Sequence, residues 1–284
     1  KGFRNSPKPY HPDVLTAKEK MTRKNQLRFL MPKNFIKSFA WFLEVVGIYF
    51  RDKKFKDYSD NFNPWHYFID RARRKLRNVV GLSDFYDEYK PEEDFAFFPL
   101  HLEPEIATLL QAPFYTDQIA LIRQVARSLP VHFKLYVKEH PLMVDYRPRN
   151  FYRTLKKIPN VKIINPAISG LEIVAKAKLV TTITSTAGWE AALLKKPVIT
   201  FGDQFYNILS CVKKCREIET LPYLVKEVLT NYKYDEDEVL NLLAAIFEDS
   251  ISLNLHQLWE QETNMEKKKI GLERFSELLY KKIA

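Results

Sequence analysis

Leu135-Tyr136-Val137-Lys138-Glu139-His140-Pro141 decides how this chain is read, together with two later runs. These are Thr184-Ser185-Thr186-Ala187-Gly188-Trp189-Glu190 and Pro197-Val198-Ile199-Thr200-Phe201-Gly202. In each, an apolar strand delivers small, basic or hydroxylated residues to a turn. An α/β protein presents groups to a phosphate or a sugar in this way, at the carboxyl ends of its strands. Working outward, strands are expected at Phe95–Leu100, Val131–Val137, Val161–Ile164, Leu179–Ile183 and Val198–Phe201. Helices are expected at Thr116–Ser128, Tyr146–Lys157, from a cap at Ser169 to Lys176, and at Trp189–Leu194. Five apolar strands alternating with helices over short connections imply an α/β, Rossmann-like, doubly wound parallel sheet covered on both faces.

The flanks read differently. Residues 1–34 are polar, basic and punctuated by Pro7, Pro9, Pro12 and Pro32, an irregular arm with one short helix near Thr16–Leu30. Asn34–Phe50 has amphipathic helical spacing, and a second helix is expected over Pro64–Val80. That helix carries Arg71, Arg73, Arg74, Lys75 and Arg77 opposite Trp65, Phe68, Ile69, Leu76 and Val80. Tyr86–Asp94 reads as an acidic linker, and four helices are expected from Glu217 onward: Leu221–Asn231, Glu236–Asp249, Leu253–Lys267 and Leu272–Ile283. The expected organisation is a basic, mainly helical segment (1–90), a Rossmann-like donor domain (91–235) and C-terminal helices (236–284).

The 284 residues suffice for a sizeable core, and 46% hydrophobic with 14% aromatic content describes a globular protein. The net charge of +10 is concentrated in residues 1–90, which hold 20 Lys and Arg against 10 Asp and Glu, while the remainder has 25 of each. The first third is therefore expected to meet something anionic: a membrane surface, a nucleic acid or an acidic glycan, or else to be a solvated basic surface. Cys211 and Cys215, in C-x-x-x-C spacing without a second pair, read as two reduced thiols in a cytosolic protein, with no metal site expected. No signal peptide is visible, and no apolar run reaches the roughly 18 residues that span a bilayer. A start at Lys1 without Met is expected of a trimmed chain or the later part of a longer one.

Three clusters could carry chemistry. Pro141 ends a strand and holds His140 extended, so that its imidazole can donate to a phosphate oxygen while Lys138 adds a point charge. Ser185, Thr186 and Gly188 open a helix whose free N–H groups and positive dipole end favour an anion. An ordinary N-cap explains one of those hydroxyls, with Gly188 serving packing. Glu190, in the first turn, could accept from a ribose hydroxyl. His101, Glu103 and Glu105, crowded after the first strand, are candidates for acid or base work or for a loop hydrogen-bond network.

The ordered motifs resemble the capsule polysaccharide biosynthesis glycosyltransferases, which include the bacterial Kdo transferases. The residues that carry the resemblance are Phe98-Pro99-Leu100-His101-x-Glu103-Pro104-Glu105, Tyr115-x-Asp117-Gln118 and Tyr136-Val137-Lys138-Glu139-His140-Pro141. They continue with Thr184-Ser185-Thr186-Ala187-Gly188-x-Glu190-Ala191 and Lys196-Pro197-Val198-Ile199-x-Phe201-Gly202-x-x-Phe205-Tyr206, so the similarity covers about Phe95 to Leu224. It implies the C-terminal, donor-binding half of a two-domain GT-B enzyme. It also implies that His140, Ser185 and Thr186 contact the donor's nucleotide phosphate, as in the similar bacterial sialyltransferases, and that catalysis needs no metal and no cofactor. The chain departs from the pattern at residues 1–90, which are too short for a Rossmann half and show no strand–helix alternation. That half is either absent from this chain or replaced by a compact basic helical segment.

The reading is a cytoplasmic glycosyltransferase, peripheral to the inner face of a membrane. It would move a sugar such as Kdo from a CMP-activated or other nucleotide-sugar donor to a surface or capsular glycan or glycolipid, with no specific nucleic acid partner. The alternatives are a polyol-phosphate transferase of the teichoic-acid type, a sugar-nucleotide epimerase, and a non-catalytic half-enzyme that tethers a complex to membrane or nucleic acid.

Overall fold

A computed structural model describes residues 31–51, 64–144, 146–250 and 262–283, with positions 22, 26–27, 253 and 258–259. Most of the short helix expected near Thr16–Leu30 lies outside the described residues, as do positions 254–257 and 260–261 of that expected at Leu253–Lys267; residues 262–264 of the latter are not helical. The chain groups into two units, Lys1–Tyr234 and Asp235–Ala284.

The first unit opens with helices α1 (Pro32–Arg51) and α2 (Pro64–Val80), which pack on each other. The sheet follows: β1 (Phe95–Pro99), α3 (Ile106–Leu109), α4 (Gln118–Ser128), β2 (Lys134–Lys138), α5 (Arg149–Leu155) and β3 (Val161–Ile164). Next come α6 (Gly170–Lys176), β4 (Leu179–Thr182), α7 (Thr186–Leu193), β5 (Val198–Thr200), β6 (Val212–Lys214) and α8 (Leu221–Thr230). The second unit contains α9 (Glu236–Glu248) and α10 (Met265–Ile283).

All six strands are parallel, in the order β3-β2-β1-β4-β5-β6. That is the Rossmann order, in which the chain reverses direction across the sheet between β1 and β4. The central strand β1 is apolar without alternation because both of its faces are covered. On one face Ala96, Phe98, Leu135, Val137 and Ile163 meet Leu121, Ile122 and Val125 of α4, Tyr152 and Leu155 of α5, and Val225 of α8. On the other, α6 packs on β1 and α7 on β4 and β5, while the Phe95 and Tyr136 rings stack at 4.1 Å.

Several expectations need correction. The sheet has a sixth strand: Val212–Lys214 is three residues long and carries two lysines, too short and polar to show a strand pattern. Val131 lies in a turn, fully exposed, and β2 begins at Lys134. Ser169 sits at the N-cap of α6, but its side chain makes no capping hydrogen bond. Helix α10 begins at Met265, ahead of Leu272. The expected linker is stitched to the sheet. The Asp87 carboxylate accepts from the Ile163 amide (2.8 Å) and pairs with Lys156 (2.5 Å). Likewise the Glu93 carboxylate meets the Tyr136 hydroxyl (2.7 Å) and Lys162 Nζ (2.6 Å).

Candidate functional site at the carboxyl edge of the sheet

The expected site residues fall at the carboxyl ends of β1, β2 and β4, on both sides of the point where strand order reverses. His101 follows β1, its backbone N–H donating to Gln118 Oε1 (2.8 Å). Its ring is buried, and Nε2 accepts from the Thr184 amide at 3.0 Å, a bond that ties the end of β1 to the turn after β4. An accepting Nε2 requires the neutral tautomer with its proton on Nδ1. Burial, with the nearby His140 and Arg147, depresses the imidazole pKa to about 3. Neither ring nitrogen is presented to solvent.

Arg147 binds the loops after β1 and β2 together, and sequence reasoning missed it. It is 4% exposed. One guanidinium nitrogen donates to the His101 carbonyl and another to Glu103 Oε2, each at 2.6 Å. Its Nε lies 3.0 Å from Glu139 Oε2, and the whole group stacks over Phe151 at 4.6 Å. Glu139, 1% exposed, accepts in addition from the Tyr152 hydroxyl (2.7 Å) and the His140 amide (2.8 Å). Burial pushes its carboxyl pKa upward, against the opposite pull of Arg147 and of those two donors. A guanidinium suits this position because its planar fork serves several acceptors at once. In the sequence, Arg147 looked like one more basic residue before a proline.

Gln118 completes the clasp. Its side chain donates to Glu103 Oε1 and to the His101 carbonyl (3.4 Å). The Tyr115-x-Asp117-Gln118 motif thereby acquires physical meaning: the Tyr115 ring packs on Phe201 (5.4 Å), the Asp117 carboxylate caps α4, and Gln118 pins the loop after β1. Of the three expected acid–base candidates, His101 and Glu103 are engaged in these bonds. The third, Glu105, is half-buried, burial raises its carboxyl pKa, and among the described residues it forms no ion pair.

Of the other expected residues, His140, Ser185 and Thr186 are half-buried at the rim, and Lys138, Gly188 and Glu190 are buried behind it. His140 Nδ1 accepts from the Leu142 amide (3.2 Å), which leaves the ring proton on Nε2, the nitrogen at the far side of the ring. Lys138 is buried. Desolvation lowers its pKa to about 8, while Glu139 and Glu190 pull the other way, so β2 and α7 meet electrostatically across the end of β1. Ser185 is the N-cap of α7, its hydroxyl accepting from the Ala187 amide (3.2 Å), and Thr186 is the first helical residue. Gly188 serves close packing: a Cβ there would lie 2.6 Å from the Tyr206 hydroxyl, which itself donates to the Ser185 carbonyl (2.6 Å). Glu190 is buried on the same helix. Between these groups the Thr184 hydroxyl is buried without a hydrogen-bond partner, a polar atom left unsatisfied where the strand order reverses. Cys211 and Cys215 flank β6, buried and unbridged, and among the described residues no cluster of His, Cys, Asp and Glu could hold a metal ion.

Comparison with known proteins bears directly on this arrangement. The family model described as "Capsule polysaccharide biosynthesis protein" matches residues 4–214. This chain belongs to that family. The match ends on the last residue of β6, and it begins well before the Phe95–Leu224 stretch over which the motifs were recognised. The first ninety residues are thus part of the family pattern. A curated relative, Protein FixF of Sinorhizobium fredii (strain NBRC 101917 / NGR234), is 32% identical over 130 residues. The match covers 45% of this chain and spans 31% of that protein's length.

Among solved structures, the β-Kdo 2,7 transferase of Thermosulfurimonas dismutans KpsC is similar at 17% identity and a TM-score of 0.38, covering 68% of this chain and 67% of that one. The UDP-GlcNAc 2-epimerase of Methanocaldococcus jannaschii is similar at 18% identity and a TM-score of 0.37, covering 62% and 50%. Likenesses this distant carry no argument about chemistry, and the fold assignment rests on the sheet order. No helix among the described residues is long and apolar enough to cross a membrane.

Proposed function

We propose that this chain is the donor-binding half of a glycosyltransferase, moving a sugar from a nucleotide-activated donor to a surface or capsular glycan or glycolipid. The observation that carries the reading is the pairing of His140 with the start of α7. With Nδ1 bonded to the Leu142 amide, His140 can donate from Nε2 on one side of the strand reversal, and the N-terminus of α7 lies on the other. Together with Lys138 they would meet a nucleotide phosphate, and would stabilise the charge that develops on it as the sugar leaves. Thr184 Oγ1 would give a bound donor one further partner. Membership of a capsule polysaccharide biosynthesis family supports a sugar-transfer role over the epimerase and polyol-phosphate readings.

Within this reading His101, Glu103 and Arg147 position the site, and Glu105, half-buried and without an ion pair among the described residues, is the carboxyl that would act as a base. The donor sugar would be Kdo or a related sugar carried on CMP, transferred without metal or cofactor. An anionic membrane surface would partner the basic first third, at the inner face of the membrane. Thermal-shift measurements with CMP, CDP, UDP and GDP test the reading. One nucleotide is expected to raise Tm well above the other three in the presence of a chelator. No stabilisation by any of them would remove the transferase reading.

A further inference from the structure

Helices α1 and α2 have a surface the proposed transfer reaction does not use. Val45 is the one buried residue of α1, and α2 has none, although both are rich in large apolar side chains. The two helices meet through Phe42, whose ring contacts Trp65 and Phe68 at 5.8 and 5.1 Å, and through Trp41 against Tyr67 at 5.1 Å. Outside that seam each helix leaves an apolar row open. On α1 the row is Phe35, Phe39 and Leu43, with Phe35 66% exposed. On α2 it is Ile69, Leu76 and Val80, with Leu76 65% exposed. The spacings of four and seven keep each row on one helical face.

The charges decide what fits such rows. Helix α2 carries five Lys and Arg against the single Asp70, and α1 carries Lys33, Lys37 and Arg51 against Glu44. Two copies docking through these rows would bring like charges together, which disfavours a homodimer. An RNA would find phosphate partners and two or three aromatic faces. It would find no use for Ile69, Leu76, Val80 and Leu43, which have no face on which a base can stack. An anionic bilayer satisfies both halves of the pattern: acyl chains take the aliphatic and aromatic rows, and headgroups take the Lys and Arg beside them.

We propose that α1 and α2 form a docking surface for an anionic lipid bilayer, lying in the interface plane and not spanning it. This rests on the membrane contact proposed for the basic first third, which it places on two helix faces, and does not depend on the donor-site reading. The test uses the full chain with vesicles of phosphatidylcholine alone and of phosphatidylcholine containing phosphatidylglycerol, in flotation and tryptophan fluorescence. The protein is expected to float at least tenfold more with the anionic vesicles, less so as salt rises. Its emission should shift to the blue and be quenched by brominated lipid, and Trp65→Phe should remove most of that signal. Lys37→Glu with Arg73→Glu should reduce anionic-vesicle binding at least tenfold. Leu76→Ser with Val80→Ser should do the same, with Tm and nucleotide affinity unchanged in both pairs because all four residues are exposed.

Three results would overturn the proposal. One is equal flotation with neutral and anionic vesicles. Another is RNA binding as tight as vesicle binding and lost in the same charge variants. The third is lipid-free self-association abolished by Leu76→Ser and Val80→Ser, which would assign the rows to a second copy. Unchanged nucleotide binding in any of these cases would leave the donor-site reading standing.

Discussion

The sheet's carboxyl edge and the α1–α2 pair both concentrate charged and aromatic residues, yet they use them in opposite ways. At the sheet edge, Arg147, Glu139 and His101 are buried and tied to their neighbours within about 3 Å, with His101 Nδ1 and the Thr184 hydroxyl left without a partner. In the helix pair the charges are mostly solvated and several large apolar side chains are exposed. A buried ionic cluster costs desolvation and survives only when its partners are complete, so removing one member leaves the others stranded. A solvated charge is nearly neutral to the fold and therefore free to serve a partner. The difference teaches that charge count says little and burial says most: the edge is built to hold a shape, the helix pair to meet a surface.

Arg147→Ala breaks that comparison most severely. It strands the buried Glu139 carboxylate, and a loss of about 3–5 kcal/mol in denaturant unfolding is expected. Arg147→Lys should recover little of it, since an ammonium cannot serve three acceptors spread around a planar fork. In the helix pair, Arg73→Glu should shift stability by less than about 0.5 kcal/mol in the same assay. If the two substitutions cost the same, the contrast between the regions is wrong.

Gly188→Ala is next. The new methyl would collide with the Tyr206 hydroxyl, and a cost of about 1–3 kcal/mol is expected. Tyr206→Ala in the same chain should change the effect of the alanine, an interaction a double-mutant cycle reads directly. Additive losses would show that Gly188 is not placed for close packing.

Lys138 gives a pH signature. Its folded pKa, about 8, lies below the ordinary lysine value, so the folded state gives up this proton before the unfolded state does. Between about pH 8 and 10.5 the unfolded chain binds more protons at this position. The Lys138 contribution to stability should therefore rise with pH across that window and be absent in Lys138→Met. Phosphate binding favours the charged ammonium and runs the other way: nucleotide affinity should fall as pH rises through about 8, with the fall lost in Lys138→Met. Parallel pH profiles for the two proteins would remove Lys138 from the donor site.

Much of this was readable in advance, for reasons that differ by region. Strand β1 announced itself as a continuous apolar run because both faces of the sheet are covered. Helices α1 and α2 showed through their amphipathic spacing. The strand β6 did not, because a three-residue edge strand needs only one partner and little apolar length. At the edge of the sheet the motifs pointed to the right loops without separating what binds from what holds. His101 and His140 look alike in the sequence, each following a strand. Their difference comes from tertiary contacts: the Thr184 amide occupies His101 Nε2, whereas His140 is engaged through Nδ1 by the Leu142 amide just beyond it. Arg147 and Gln118 were missed as functional groups for the same reason, since each acts through residues 44–46 and 15–17 positions away.

The central claim is that the rim of this edge, and not its buried clasp, binds the donor nucleotide. It is tested most directly by calorimetric titration of the best-stabilising nucleotide into the wild-type protein and into His140→Ala. Loss of one charge-assisted hydrogen bond should weaken binding about tenfold or more, with Tm in the absence of nucleotide unchanged. Equal affinity in the two proteins would contradict the account and leave His140 a loop histidine with no part in binding.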